Sequence, residues 1–367
     1  MNKLIISNLV HRPIRSLISI TAIAVEVTLI LVIVGLSMGI LNDSKARTAG
    51  IGADVMVRPP GSTNLVGMSG APAPIKIADI LRKLPHVVDV SPVVTQLNSG
   101  KSLEILYGID IDTFQKLSNG FTFLEGGPFT GPDDIIIDDI AAASAHLHVG
   151  STMEVLNHTF HVCGVVQNGK GARKFMPIGT VQDLIGAPNR ASIFYVKLAD
   201  SNQADAFITD LKKIPGMEQY NTQSVKEWLS LMTPDSLPGF STFINVVIGV
   251  SVCIGFIVIF QSMYTAVMER TREIGILKSM GASKAYIVGL ILRETTALAI
   301  AGILFGIAIS YAASYAIVHK FPTIRVVVQP DWILKASIIA IIGAMLGAIY
   351  PSYRAAQKDP IDALAYE

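Results

Sequence analysis

The stretch LISITAIAVEVTLILVIVGLSMGIL, residues 17–41, decides what kind of protein this is. About 20 helical residues cross the roughly 30 Å hydrocarbon layer of a bilayer, so an apolar run of this length with one ionisable side chain, Glu26, reads as a membrane span. It exceeds the roughly 7–15 apolar residues of a signal-peptide core, and no small-residue cleavage site closes it, which makes it a retained anchor. Three further runs, 240–267, 285–318 and 332–350, are also long enough to cross. The run 285–318 is long for one crossing, and its first turns, around Arg293 and Glu294, are expected at the cytoplasmic interface. Composition agrees. Of 367 residues, 51% are hydrophobic and only 16% charged, against about 25% charged in an ordinary soluble domain, and the mean hydropathy is +0.51.

Charge and cysteine content narrow the function classes. The chain has 29 Lys and Arg against 28 Asp and Glu, a net charge of +1, and so lacks the broad positive field that binds nucleic acid. Nucleic acid is therefore excluded as a main partner. The two cysteines, Cys163 and Cys253, lie in segments of different character and form neither a disulfide framework nor a CxxC metal knuckle. Short loops rich in Lys and Arg stay cytoplasmic. Lys3, Arg12 and Arg15 before the first span, and Arg270, Arg272, Lys278, Lys284 and Arg293 around the second connection, place both segments inside. Four crossings then put both termini in the cytoplasm and the large segment 43–239 outside.

Inside the spans, GxxxG pairs at Gly35/Gly39, Gly302/Gly306 and Gly343/Gly347 mark seams where helix backbones approach closely, and Ser310 and Ser314 extend the second seam. Charge is otherwise scarce, whereas ion and proton pathways normally leave ionisable groups in the membrane. Glu26 is the one plainly intramembrane acid, beside the uncharged Asn245 and Gln261. A structural role is its default reading and a proton relay the alternative.

The outer segment alternates strand-like and helix-like patterns. Strands are predicted over 54–58, 87–94, 102–108, 134–138, 152–156, 160–167 and 192–198, and helices over 77–84, 140–145, 181–185, 203–213 and 225–232. A Gly-, Pro- and Ser-rich loop covers 59–74. The pattern suggests an α+β domain in two parts, one from 43–118 with 190–238 and a strand-rich insert over about 119–189. The run TQLNSGKS, 95–102, ends like a phosphate loop, but Thr95 replaces the first required glycine and strand follows instead of helix. His146, His148, His158, His161 and Cys163 cluster within eighteen positions, and His161 and Cys163 share a strand face. Their spacing matches no closed zinc motif, which leaves metal binding open beside the plainer reading of scattered histidines on a hairpin.

After the second span comes ERTREIGILKSMGASKAYIVGLILRET, residues 269–295. Ile274, Leu277 and Met280 recur at three-residue steps beside Arg270, Arg272, Glu273 and Lys278, which predicts a short helix with one apolar face. Gly281 is placed to end it and Ser283 to cap the next. Such a knob either lies on lipid headgroups or is a lever gripped by a soluble protein.

ERTREIGILKSMGAS, 269–283, resembles the coupling helix of MacB and FtsX type ABC transporter permeases. The tail YPSYRAAQKDPIDALAYE, 350–367, is similar to their closing motif, and NLVHRPIRSLISI, 8–20, to their amphipathic lead-in. In the outer segment LEGGPFTGPDDIIID, LHVGSTMEV, FHVCGVV and MPIGTVQDLIG follow the order of the MacB-type extracytoplasmic region. The likeness touches essentially the whole chain.

The resemblance implies an α-helical membrane protein with four transmembrane helices and a large α+β extracytoplasmic domain inserted between helices 1 and 2. Residues 1–42 would hold the lead-in and helix 1, 43–239 the outer domain, and 240–367 the FtsX-like permease region. It also implies a non-catalytic permease subunit of a bacterial cytoplasmic (inner) membrane ABC transporter, with no cofactor of its own. The subunit would act as a homodimer or a heterodimer with a related permease. A separate ABC ATPase subunit would bind at Glu269, Arg270, Arg272, Glu273, Ile274, Leu277, Lys278, Met280 and Gly281. A periplasmic adaptor or an outer-membrane protein is admitted as a further partner. Two departures stand out: MacB-type members often carry their own N-terminal ATPase, which is missing here, and Glu26 stands where a small or apolar residue is expected. The expected function is mechanotransmission, in which ATP hydrolysis in the partner moves the outer domain to export or extract a lipid, lipoprotein, peptide or amphiphile. The alternative is an FtsX-like regulator of a cell-wall hydrolase, and a third class is a membrane receptor independent of ATP.

Overall fold

The computed structural model describes residues 13–62, 71–99, 103–236 and 239–358. Parts of the lead-in, the 59–74 loop, the TQLNSGKS run and the closing motif lie outside these residues. In chain order the elements are α1 (Pro13–Gly50), β1 (Val55–Arg58), β2 (Ala73–Pro74), α2 (Ile77–Arg82), β3 (Val87–Ser99), β4 (Leu103–Ile109), α3 (Ile111–Ser118), β5 (Phe123–Gly126), β6 (Asp134–Asp138) and α4 (Asp139–Ala145). There follow β7 (Thr152–Val155), β8 (His158–Val166), β9 (Lys174–Pro177), α5 (Ile178–Leu184), β10 (Arg190–Ala191), β11 (Ile193–Leu198), α6 (Ala204–Leu211), β12 (Asn221–Ser224) and α7 (Val225–Leu231). The last four helices are α8 (Phe240–Glu269), α9 (Thr271–Ser279), α10 (Lys284–Lys320) and α11 (Pro330–Gln357). They form two compact units: one of residues up to 39, 237–320 and from 324 onward, the other of 40–236 with 321–323.

In the first unit α1, α8, α10 and α11 are each long and apolar enough to cross a membrane, with mean hydropathies of 2.7, 2.7, 2.0 and 2.1 over their most apolar stretches. At 1.5 Å per residue the 38 residues of α1 extend about 57 Å, well beyond the hydrocarbon layer. Helix continues past the apolar run because 42–50 contains no breaker before Gly50 and carries an Asp43–Arg47 pair, at 3.0 Å, one turn apart. The core joins Ile23, Val27, Ile30, Leu31 and Val34 of α1 to Ile259 and Met263 of α8, Leu298 and Ile303 of α10, and Ala336, Ala340, Ala344 and Ala348 of α11.

The glycine pairs let the helices close. A Cβ on Gly302 would lie 2.7 Å from Cβ of Ile23, and one on Gly306 2.8 Å from the Ala24 carbonyl, so this seam seats α10 on α1. Gly347 seats α11 on α8, 3.0 Å from the Phe256 carbonyl by the same measure. Gly35 and Gly39 differ: they receive no helix but the extended segment before α11, where Val327 donates its N–H to the Gly35 carbonyl at 2.9 Å. A Cβ on Gly39 would meet the Arg325 carbonyl oxygen at 1.8 Å. Within α11, buried Pro351 lacks the amide that would bond the Gly347 carbonyl.

The second unit is built on one ten-stranded sheet in the order β12-β1-β11-β3-β4-β9-β6-β8-β5, with β7 on β8. Strands from 55–109 and 193–224 fill one half and strands from 123–177 the other; the β4–β9 and β6–β8 pairs are parallel. Period-two patterning built the long strands, as in β8, where Phe160 and Val162 point in and His161 points out. β3 runs to Ser99, five residues beyond its predicted end, and pairs with β4 as far as Leu103, so the described part of TQLNSGKS, 95–99, is strand and not helix. β5, β9 and β12 went unpredicted because none alternates: FLEG is mostly exposed, KFMP ends in proline and NTQS is polar. The missed α3 is set by its ends, with the Asp110 carboxylate accepting from the Thr113 N–H and Asn119 closing it in the left-handed region.

Candidate coupling surface

A single non-helical residue, Arg270, joins α8 to α9. Its amide still donates to the Ala266 carbonyl at 3.2 Å, and its own carbonyl accepts from Ile274 at 3.0 Å, so the two helices meet without a free linker. Thr271, buried, turns its hydroxyl back to the carbonyls of Val267 and Met268 at 3.2 and 2.9 Å, taking up groups that the end of α8 would leave unbonded. At the other end Gly281 adopts φ +95°. The Gly281 and Ala282 amides donate to the Lys278 and Leu277 carbonyls, both at 3.0 Å, a left-handed closure that glycine permits. Ser283 Oγ then accepts from the Tyr286 amide at 3.2 Å and starts α10. A Cβ on Gly281 would touch nothing, so Gly281→Ala strains the backbone alone. It is expected to cost about 1 kcal/mol, read as faster hydrogen exchange at the amides of 280–283; unchanged exchange would deny the closure its role.

Three ties hold α9 to the spans. Arg270 Nη1 donates to Glu294 of α10 at 3.1 Å, with side chains 11% and 6% exposed, and such a pair cannot lose one member without leaving a buried charge. Lys278 Nζ donates to the Ala356 carbonyl at 3.0 Å and to the Lys358 carbonyl, placing a cation on the unbonded carbonyls at the end of α11. Ile274 packs with Val267, Ile287, Ala355 and Ala356.

The single apolar face expected for Ile274, Leu277 and Met280 does not form. Three residues turn a helix by about 300°, so each step drifts about 60° back and Met280 stands roughly 120° from Ile274. Ile274 is 9% exposed and Met280 71%, with Leu277 half-buried between them. The outward surface is made by Arg272, Glu273, Ile276, Ser279, Met280 and Gly281, with Glu269 exposed at the end of α8. Ile276, 42% exposed, was missed by the three-residue reading; continuing the helix in four-residue steps from Met280 finds it. Glu26 lies elsewhere, buried within the span bundle.

Residues 16–214 match the MacB-like periplasmic core domain, more than half of the chain, and residues 245–360 match the FtsX-like permease C-terminal domain. The chain belongs to the MacB/FtsX-type permeases. With its four apolar helices it is a multi-pass membrane protein of that family. The macrolide export ATP-binding/permease protein MacB of Shewanella sp. (strain W3-18-1) is 24% identical over 319 residues, 80% of this chain and 49% of that protein. The uncharacterized ABC transporter permease YknZ of Bacillus subtilis (strain 168) is 38% identical over 130 residues, 35% of this chain and 32% of that one. Against MacB, then, the permease spans about half the length of its relative. The periplasmic region of MacB from Actinobacillus actinomycetemcomitans is a solved structure with 20% identity and a TM-score of 0.39, covering 49% of this chain and 92% of that one.

In the outer unit the histidines stand apart. His146 ends α4 in the left-handed region, His158 Nε2 pairs with Asp133 at 2.7 Å, and His148 faces Glu125 at 3.9 Å. Among the described residues no three His, Cys, Asp or Glu are placed to hold a metal. Burial pushes the Cys163 thiol up to about 11, with the nearby Asp134 acting in the same direction, and its S–H points to the Ile135 carbonyl at 3.5 Å. This is the chemistry of a packed thiol and not of a nucleophile.

Proposed function

We propose that this permease subunit converts ATP hydrolysis in a separate ABC ATPase into motion of its outer domain. The observation that carries the reading is the division of α9 into two faces: one tied by Arg270, Ile274 and Lys278 to α8, α10 and α11, the other presenting Arg272, Glu273, Ile276 and Met280. A surface so backed passes a push on to the spans instead of absorbing it. In this reading both termini are cytoplasmic, the membrane is the bacterial inner membrane, and two permease copies or two related permeases work together. The charge-poor spans favour work done outside on a lipid, lipoprotein, peptide or small amphiphile over conduction of a polar solute through the bundle. Macrolide export, named for the MacB relative, concerns cargo of that amphiphilic kind.

The test is the double variant Ile276→Asp with Met280→Asp. Both side chains are exposed, so the membrane fold should persist while copurification of the ATPase falls about tenfold or more, as for a central contact residue. Unchanged ATPase association and turnover would remove the coupling role. Ile274→Asp is the wrong probe for docking, because it puts a charge into the packed face. Copurification of a cell-wall hydrolase in place of an export partner would favour the regulator.

A further inference from the structure

Glu26 is 4% exposed in the middle of the apolar run of α1. Its carboxyl fills the room that two glycines leave: a Cβ on Gly255 of α8 would sit 2.0 Å from Oε2, and one on Gly343 of α11 3.9 Å from Oε1. Oε1 has no hydrogen-bond partner among the described residues. α8 offers it Gly255, with Val252 close to Gly343, and α10 meets this stretch of α1 through Gly302 and Gly306. The charged and imidazole groups of the packed helices, Glu269 on α8, Lys284, Arg293, Glu294, His319 and Lys320 on α10, and Asp331, Lys335 and Arg354 on α11, lie nearer the helix ends, and the mid-helix thiol of Cys253 on α8 is exposed. An ionised carboxylate enclosed among packed apolar helices in the middle of a span is strongly disfavoured.

We infer that Glu26 is an intramembrane proton-binding site, occupied in this packing of the spans and emptied only when α1 parts from Gly255 and Gly343 and water reaches the carboxyl. On release the O–H bond breaks and the proton passes to water, with no other reactant. Proton binding and helix packing are thereby linked, so rising pH favours the parted arrangement. This inference does not depend on the ATPase reading and is tested without a partner. In the full chain in phosphatidylcholine nanodiscs, infrared spectra at neutral pH should show a neutral carboxylic acid C=O band that Glu26→Gln removes. A wild-type chain carrying carboxyl-13C glutamate should show a neutral-acid resonance at the same pH, a measurement that does not rely on the variant folding. Absence of the resonance from wild type would overturn the proposal, and so would an acid band as strong in Glu26→Gln as in wild type.

Discussion

Arg173→Ala is expected to lower the unfolding stability of the chain by about 3–5 kcal/mol, the loss that follows when one partner of a buried ion pair is removed. The guanidinium is 14% exposed and bridges Asp43 at 2.9 Å and Asp138 at 3.1 Å, themselves 10% and 1% exposed. It also donates to the Thr323 carbonyl at 3.4 Å, so one side chain joins the end of α1, β6 and the connection between α10 and α11 within the outer unit. Asp43 keeps Arg47 in the variant, whereas among the described residues Asp138 keeps the Ala141 amide at 2.7 Å as its hydrogen-bond donor. Burial raises Asp138 to about 6, against the opposing pull of that amide and of Arg173. Its native value thus lies above its unfolded one: the native state holds the extra proton between about 4 and 6, and stability falls as pH rises through that window. Without Arg173 the native value rises further, so the deficit should be larger at about pH 8 than at about pH 5. Denaturant melts of the purified chain at the two pH values decide this, and an equal loss at both would detach Asp138 from the effect. Arg173→Lys should recover only part, since one ammonium nitrogen cannot occupy both positions from which Nη2 reaches Asp43 and Nη1 reaches Asp138.

Phe175→Ala should cost a similar amount, about 3–5 kcal/mol. The residue is fully buried on β9, with ring centroids 4.9 Å from Phe121, 5.8 Å from Phe114 and 6.2 Å from Tyr107. It thereby joins the strand-rich half of the sheet to the half carrying α3. Truncation opens a cavity between rings that backbone hydrogen bonds hold in place. Phe175→Leu, which refills most of the volume, should lose clearly less in the same melts. Equal losses would mean that the site collapses around either residue and that the ring contacts are not what stabilises it.

The membrane half is the more legible because a run of twenty apolar residues has few other readings; Gly302, Gly306 and Gly347 sit at close helix approaches, whereas Gly35 and Gly39 meet an extended segment. Arg173 could not be read in advance: its carboxylate partners lie 130 and 35 positions away in the chain, and nothing local marks it. Three-residue spacing marks Ile274 and Met280 as a set but does not put them on one face, because each step drifts by about 60° on a helix of 3.6 residues per turn. Glu26 was conspicuous from composition. The glycines that house it became meaningful only when α8 and α11 were brought against α1.

Pro351 gives the two routes out of α9 unequal stiffness. Arg270 is fastened to α10, which has no proline, whereas Lys278 is fastened to the terminal carbonyls of α11 beyond a turn that lacks one backbone rung. If the knob is pushed as proposed, the displacement would reach α10 almost undiminished and be partly spent as bending in α11, making α10 the driven shaft and the end of α11 its compliant bearing.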